Sequence, residues 1–479
     1  MNLDDLIKED IFRYFIDLSN IPRCSHNESA IADYLENFAK NNNLEFKRDE
    51  ENNLVIKREN GNSESVAMQA HVDMVCIKSA DSCHDFSKDP LELVLENNLL
   101  SAKDTTLGAD NGIGAAYMLA ILGDKTYIGP TLECIFTTNE EDGMTGANNL
   151  NLADLKSKYL LNLDSEEEGK LYVSCAGGIV CNFGIPVNRK VKEGYIYSIN
   201  ISGLKGGHSG LEIDKKRGNA IKQAARILNY LQEESIAFRL IDINGGKKHN
   251  AIPEESVIKI LLKNKEQFEA LDALINNSQN IFQKELRHQD PDVKVKLEYL
   301  QNGTVNAFSK STTVTLIGLL NLLPDGVIKM SADIPDLVET SANLGKIDIS
   351  DEKVNVTISL RSSKEEGIND QLEIFEQLKI AFNLIYSTEY AYPGWEYDKN
   401  SKLKEIAKEI YFKMYNKKLE EIAIHAGLEC GFFKNKKADL DIISFGPTIN
   451  NIHTTEESVD IDSVRRVYSF LKSLICELN

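Results

Sequence analysis

The stretch Ala67-Met68-Gln69-Ala70-His71-Val72-Asp73-Met74-Val75 decides how this chain is read. Its apolar residues suit a buried strand, and the strand ends in a His-x-Asp pair. Residues two apart on a strand face the same side, so His71 and Asp73 project together. Neutral imidazole is a common metal ligand. A ligating His usually gives its other ring N–H to a carboxylate or a carbonyl. A strand that is apolar throughout and polar only at its end suits an open α/β sheet, where ligands gather beyond the carboxyl ends of the strands.

Working outward, other segments end in the same way. A strand-like segment at 99–103 leads into Thr106-Leu107-Gly108-Ala109-Asp110-Asn111-Gly112-Ile113-Gly114, and an apolar helix follows at 115–122. A glycine-rich loop before a helix can hold phosphate. This one lacks Gly-x-Gly-x-x-Gly and Gly-Lys-Ser/Thr and has Asp110 at its centre, which favours a cation. The buried strand Thr131–Thr137 ends in Thr138-Asn139-Glu140-Glu141-Asp142-Gly143, and the strand at 159–163 ends in Asp164-Ser165-Glu166-Glu167-Glu168. A loop late in the chain, Ile449-Asn450-Asn451-Ile452-His453-Thr454, adds a second His.

His71, Asp110, Glu141, Asp164 and His453 are therefore the candidate metal ligands. Imidazole with carboxylate suits zinc, cobalt or manganese. Asp110 is placed to bridge two ions, each of which would have one His, one further carboxylate and the shared Asp110. That arrangement leaves room for a bridging water, and two metals about 3.5–4 Å apart generate hydroxide near neutral pH. Glu140, next to Glu141, is the free carboxylate available as base. Glu166 to Glu168 read as a solvated acidic run.

At 479 residues the chain exceeds the roughly 250–300 at which a single core stops growing, so two domains are expected. Helical spacing covers 3–18, and a second helix follows Asn27-Glu28-Ser29. From about residue 190 the texture changes to half-exposed strands and helices. Strands are expected at 195–201, 256–263, 311–318, 327–333 and 354–361, with helices at 219–233, 266–282 and 370–383. Two successive β-α-β-rich units, a duplication, fit that alternation. Tyr392-Pro393-Gly394-Trp395 marks the second boundary. The expectation is an α/β protein of two domains. A catalytic sheet domain formed by 1–189 and 392–479 is interrupted by an α+β lid domain at 190–391.

Net charge is −20, which argues against nucleic acid or an anionic membrane as partner. No run of about 18 apolar residues is present to span a membrane. The start, Met1-Asn2-Leu3-Asp4-Asp5, is acidic without an apolar segment, so no secretory leader is expected. The eight cysteines are scattered and lack Cys-x-x-Cys, which predicts reduced thiols in a cytoplasmic protein.

These motifs together resemble the co-catalytic zinc peptidases, the clan of aminoacylases, carnosinases and related dipeptidases. Within that clan the chain is most similar to the aminoacyl-histidine dipeptidase branch, also called β-alanyl-histidine or cytosol non-specific dipeptidases. Gly207-His208-Ser209-Gly210, His249-Asn250-Ala251-Ile252-Pro253 and His425-Ala426-Gly427-Leu428-Glu429-Cys430-Gly431 carry the likeness as well. The resemblance implies two divalent ions, most simply Zn2+, on the five ligands above, with Glu140 as general base and Asp73 orienting His71. It implies His208 as a lid donor to the oxyanion. Arg361 is expected to clamp the substrate's free carboxylate, and Asn250 and His425 are expected as further substrate contacts. His425 is also readable as a core His bonded to backbone. Related enzymes often carry two acids at the position of Asp110-Asn111, joined by a cis peptide, and a cis bond is expected here. The implied activity is hydrolysis of small dipeptides by a monomer or homodimer. An N-acyl amino acid deacylase using the same site and a catalytically inactive peptide-binding relative are the alternatives.

Overall fold

A computed structural model describes residues 3–61, 64–350 and 352–478. The architecture is α/β, in two units. The first holds the chain up to Cys175, Trp395–Ala423 and the chain from Leu428 onward; the second holds Ala176–Gly394 and Ile424–Gly427.

The first unit is built on an eight-stranded sheet. Its centre is parallel: β1 (Ser65–His71) lies between β2 (Thr131–Thr137) and β3 (Tyr159–Asn162), and β3 pairs with β4 (Asp441–Ser444). Every residue of β2 is buried, as is all of β1 after Ser65. That is why these strands read as apolar runs rather than as alternating patterns. Register puts His71 beside Thr137 and Gln69 beside Asn162, so the segments that follow all leave from the same rim. Helix α1 (Ala109–Gly123) is buried almost throughout, and Asp110 at its start has non-helical backbone angles.

A separate four-stranded sheet joins the hairpin Leu93–Glu96/Leu99–Ala102 to the short hairpin Ile449–Asn450/Ser458–Asp460. His453 sits in the turn of that second hairpin.

The second unit contains a nine-stranded antiparallel sheet. Arg189–Ser202, Phe238–Gly245, Ser256–Leu262 and Lys294–Phe308, with helices Ala220–Glu233 and Phe268–Glu285, form a β-α-β-β-α-β half. Gly177–Pro186, Val338–Ile349, Lys353–Ser362 and Ile385–Tyr392, with helices Lys310–Leu322 and Glu365–Phe382, form a second half. In sheet order the halves run fourth, first, third, second, then second, third, first, fourth, and they join where Gly245 pairs with Ile347. The two β-α-β-rich units are therefore present. The first strand of the later half comes before the earlier half in the chain.

That strand moves the boundary expected at residue 190. Gly177–Pro186 is hydrogen-bonded along its length to Lys353–Ser362 and to Ile385–Tyr392, so it belongs to the second unit. Three further expectations are corrected. The helix expected over 3–18 is two helices, Leu3–Leu6 and Asp10–Ser19, with a turn between them. The strand expected at 311–318 is the helix Lys310–Leu322, despite its β-branched run. Ser309 caps it by accepting from Thr312 N–H at 3.1 Å, and Leu316, Ile317, Leu319 and Leu320 bury one face. Packing has overridden local propensity there. Finally, not all thiols are free: Cys24 and Cys76 form a disulfide, brought together where Met74 N–H donates to Arg23 O. The other six cysteines are unbridged. Among the described residues no helix is long and apolar enough to cross a membrane.

Thiol titration of the denatured, unreduced protein is expected to count six reactive groups, rising to eight after reduction. Eight before reduction would show that Cys24 and Cys76 are not bonded.

Candidate metal centre

The rim of the parallel sheet gathers side chains from widely separated segments of the first unit. His71, the last residue of β1, is buried, with Nε2 3.1 Å from Asp110 Oδ1 and 3.2 Å from Asp164 Oδ1. His453 Nε2 lies 3.0 Å from Glu141 Oε1 and 3.4 Å from Asp110 Oδ2. Asp110 therefore turns one oxygen toward each imidazole. Ligand atoms about 2.0–2.2 Å from one tetrahedral ion stand roughly 3.3–3.6 Å apart, close to these separations. Ligand atoms of His71, Asp110 and Glu141 also lie within 4.8 Å of one another. All five residues proposed from sequence as ligands are in this cluster, and the Asp110–Asn111 bond is cis.

So many acids in one place set the electrostatics. Burial alone would raise Asp110, but its hydrogen bonds to His453 and His71 hold it below the usual carboxylate range. Those to Asp110 and Glu141 push His453 up to about 11. Burial opposes charge on His71, yet Asp164, Asp110 and Asp73 still push it well above the ordinary imidazole range. Glu140 is driven well up, first by burial and then by Asp164, Glu141 and Glu429. Each imidazole here is pressed to carry a positive charge, a role a bound cation takes over when the His is neutral and ligating.

Asp73 does more than face His71. The His71 Nδ1 is 3.2 Å from the Asp73 carbonyl oxygen and 3.4 Å from its Oδ1. The same carboxylate accepts from Glu140 N–H at 3.0 Å, Glu141 N–H at 3.2 Å and the Ser25 hydroxyl at 2.8 Å. One buried acid thus fixes both the ring of His71 and the peptide carrying Glu140 and Glu141.

Sequence reading missed several supports. Glu28 accepts from Asn139 N–H at 3.0 Å and holds the loop entering Glu140. Gln69 and Thr137 donate to the buried Glu429 at 2.6 and 2.7 Å, beneath the rim. Arg23 and Glu457 hold the Asp110 loop. Polar residues this deep bind backbone and one another, a pairing that no local spacing announces. The acidic run also needs correcting. Glu166 is half-buried, and burial with Asp110 and Asp164 nearby pushes it up to about 8, while Glu168 pairs with Arg466 at 2.7 Å.

The remaining candidates lie in the second unit. His208 is paired with Ala251 in a two-stranded ribbon. Its Nδ1 accepts from Gly210 N–H and Leu211 N–H at 3.2 and 3.0 Å, which leaves Nε2 as the protonated nitrogen of the neutral ring. Burial and then the Arg361 charge lower its pKa, keeping it neutral. Arg361 donates from Nη1 to the Tyr392 hydroxyl at 2.5 Å, and its buried Nε has no partner. His425 is buried, with Nε2 2.7 Å from the Ser341 hydroxyl, and burial and Arg361 lower it to about 3. Asn250 contributes a backbone contact: its carbonyl accepts from Ser209 N–H at 2.9 Å.

Comparison with known proteins covers the whole chain. It is 36% identical over 482 residues to the cytosol non-specific dipeptidase of Escherichia coli K12, covering 99% of each. The crystal structure of aminoacylhistidine dipeptidase from Vibrio alginolyticus matches with a TM-score of 0.92 and 35% identity, over 99% of this chain and 98% of that one. A tripeptidase from Staphylococcus aureus shares the fold, with a TM-score of 0.56 at 15% identity over 100% and 99% of the two chains. Residues 53–178 match peptidase family M28, and residues 199–290 match the peptidase dimerisation domain.

Asp73→Asn sets an amide against two N–H donors and a hydroxyl. The expected loss is about 1–3 kcal/mol, read as a lower urea midpoint at unchanged slope in chelator-treated protein. Although burial opposes it, hydrogen bonding holds the folded Asp73 carboxyl below its ordinary value. Its contribution is therefore present above the unfolded pKa, about 4, and is lost as pH falls through the folded value. Wild type and variant should converge in acid. An unchanged midpoint at neutral pH would show that the carboxylate is not the acceptor.

Proposed function

Because the chain belongs to the cytosol non-specific, or aminoacyl-histidine, dipeptidase family, we propose that it hydrolyses dipeptides at a centre for two divalent cations on the rim of the first unit. The observation that carries this reading is Asp110, whose two carboxylate oxygens face two different imidazoles. One ion would be held by His71, Asp164 and Asp110, the other by His453, Glu141 and Asp110. Zinc is the ion we assign, since imidazole and carboxylate suit it; cobalt and manganese satisfy the same donors. Bound there, the ions would polarise the scissile carbonyl and lower the pKa of water.

The chain's own residues supply the rest. Glu140 is the general base: it takes a proton from the attacking water and returns it to the leaving amine. Hydroxide adds to the acyl carbon, the C–N bond breaks, and the amine departs with the transferred proton. Burial raises the Glu140 carboxyl, which favours its taking a proton, and the Asp73 carboxylate accepts from its backbone N–H. We assign further substrate-binding residues to the second unit. The Nε2–H of neutral His208 suits a developing oxyanion. The Arg361 fork, with its unpartnered Nε, suits a free carboxylate. We assign His425 and Asn250 to substrate binding as well; the Asn250 carbonyl accepts from Ser209 N–H, beside His208.

Two tests follow. Glu140→Gln should keep both ions by elemental analysis and lose turnover on an α-dipeptide by at least about 100-fold, as loss of a general base does. Normal turnover would remove Glu140 from the role. His71→Ala should lose one ion outright, whereas Asp73→Ala should weaken metal affinity by about 10–100-fold. Equal effects on metal content would count against the division between ligand and orienting acid. A panel including β-alanyl-histidine, ordinary dipeptides and acetylated amino acids, assayed before and after chelation, checks the substrate class.

A further inference from the structure

Two buried charges outside the proposed donor set hold the loop that carries Asp110, one at its N–H groups and one at a carbonyl. Glu457 is 2% exposed. Its Oε2 accepts from Leu107 N–H at 2.8 Å and Gly108 N–H at 3.0 Å, and its Oε1 from Ala109 N–H at 2.8 Å and Asp110 N–H at 3.4 Å. Arg23, equally buried, donates to Gly108 O at 2.6 Å and to Val72 O and Asp73 O at 3.0 and 3.2 Å. Gly108 has φ +66°, and a Cβ there would run into the Arg23 guanidinium and Met74. Together the two charges hold the loop in this shape.

Glu457 is also four residues beyond His453, on the same turn. Its own N–H donates to Thr454 O at 3.2 Å. The next residue, Ser458, begins the short strand that pairs with Leu99–Ala102, the strand leading into the Asp110 loop. One carboxylate therefore ties the His453 turn to the Asp110 loop. These segments present the two atoms that lie 3.4 Å apart, His453 Nε2 and Asp110 Oδ2. Asp110 would serve both ions, but the His71 side keeps two donors, His71 and Asp164, that reach the rim on β1 and just after β3 without Glu457, whereas the His453 side keeps only Glu141.

We propose that Glu457 is a positioning residue that sets Asp110 and His453 as one unit, and so controls affinity for the ion on the His453 side while leaving the His71 side largely intact. Arg23 completes the clamp by fixing the same loop to the end of β1. The inference rests on the two-ion reading above and goes beyond it by giving the two sites different supports.

The test is calorimetric titration of Zn2+ into chelator-treated protein, with folding checked by circular dichroism. Wild type should take up two equivalents; fewer would overturn the two-ion reading itself. Glu457→Gln is isosteric but offers one acceptor oxygen where four N–H groups converge, and its NH2 opposes the others. It should bind the first equivalent within about twofold of wild type and the second about 10–100-fold more weakly, the range for loss of an outer-shell partner. At limiting metal kcat should fall with KM unchanged, and excess Zn2+ should restore it, which a purely structural lesion would not allow. Wild-type binding of both equivalents, or equal weakening of both, overturns the proposal. Should Glu457→Gln not fold, Glu457→Asp decides by the same criterion, since it keeps both acceptors one methylene short.

Discussion

Asp73, Asp110, Glu140, Glu141 and Asp164 converge on one rim of a parallel sheet, and their mutual repulsion is the constraint that the surrounding structure answers. Each acid is met differently. Asp73 is surrounded by two backbone N–H groups, a hydroxyl and an imidazole. Asp110 is shared between two imidazoles. Glu457 and Arg23, both buried, fix the backbone between these acids, and the Arg23 charge lies among them. Burying carboxylates is costly unless they are paired or hold a metal. The arrangement leaves a demand for positive charge that the two histidines face and that divalent ions fit.

The second unit answers a different requirement. Burial, reinforced by the Arg361 charge, lowers both His208 and His425, so their rings act as hydrogen-bond donors and acceptors rather than as charges. The scaffold is two β-α-β-β-α-β halves joined through their second strands. The swapped origin of one first strand explains why the unit begins at Ala176, ahead of the change in sequence texture. Half-exposed strands announce themselves by alternation. Gly177–Pro186 is largely buried between neighbours and carries no such mark.

Much of the candidate site was legible because its residues follow apolar strands directly: His71 closes β1, Glu140 and Glu141 come just after β2, and Asp164 follows β3. The helix Lys310–Leu322 was misread because Thr312, Thr313, Val314 and Thr315 favour strands locally, while burial of Leu316, Leu319 and Leu320 decided for helix. The Cys24–Cys76 pair was missed because fifty-two residues separate its members, and tertiary contacts such as Met74 N–H to Arg23 O bring them together.

The sequence by itself determined the apolar core strands, the His or acid that ends three of them and the loop glycines, since these depend on the polarity and backbone freedom of residues next to one another. Only the tertiary structure decided which oxygen of Asp110 faces which imidazole, that Asp73 holds the Glu140–Glu141 peptide, and that Glu457 and Arg23 grip the Asp110 loop. Those contacts join residues 39 to 350 positions apart. They follow from strand register and buried hydrogen bonding, which exist only once the chain has closed on itself.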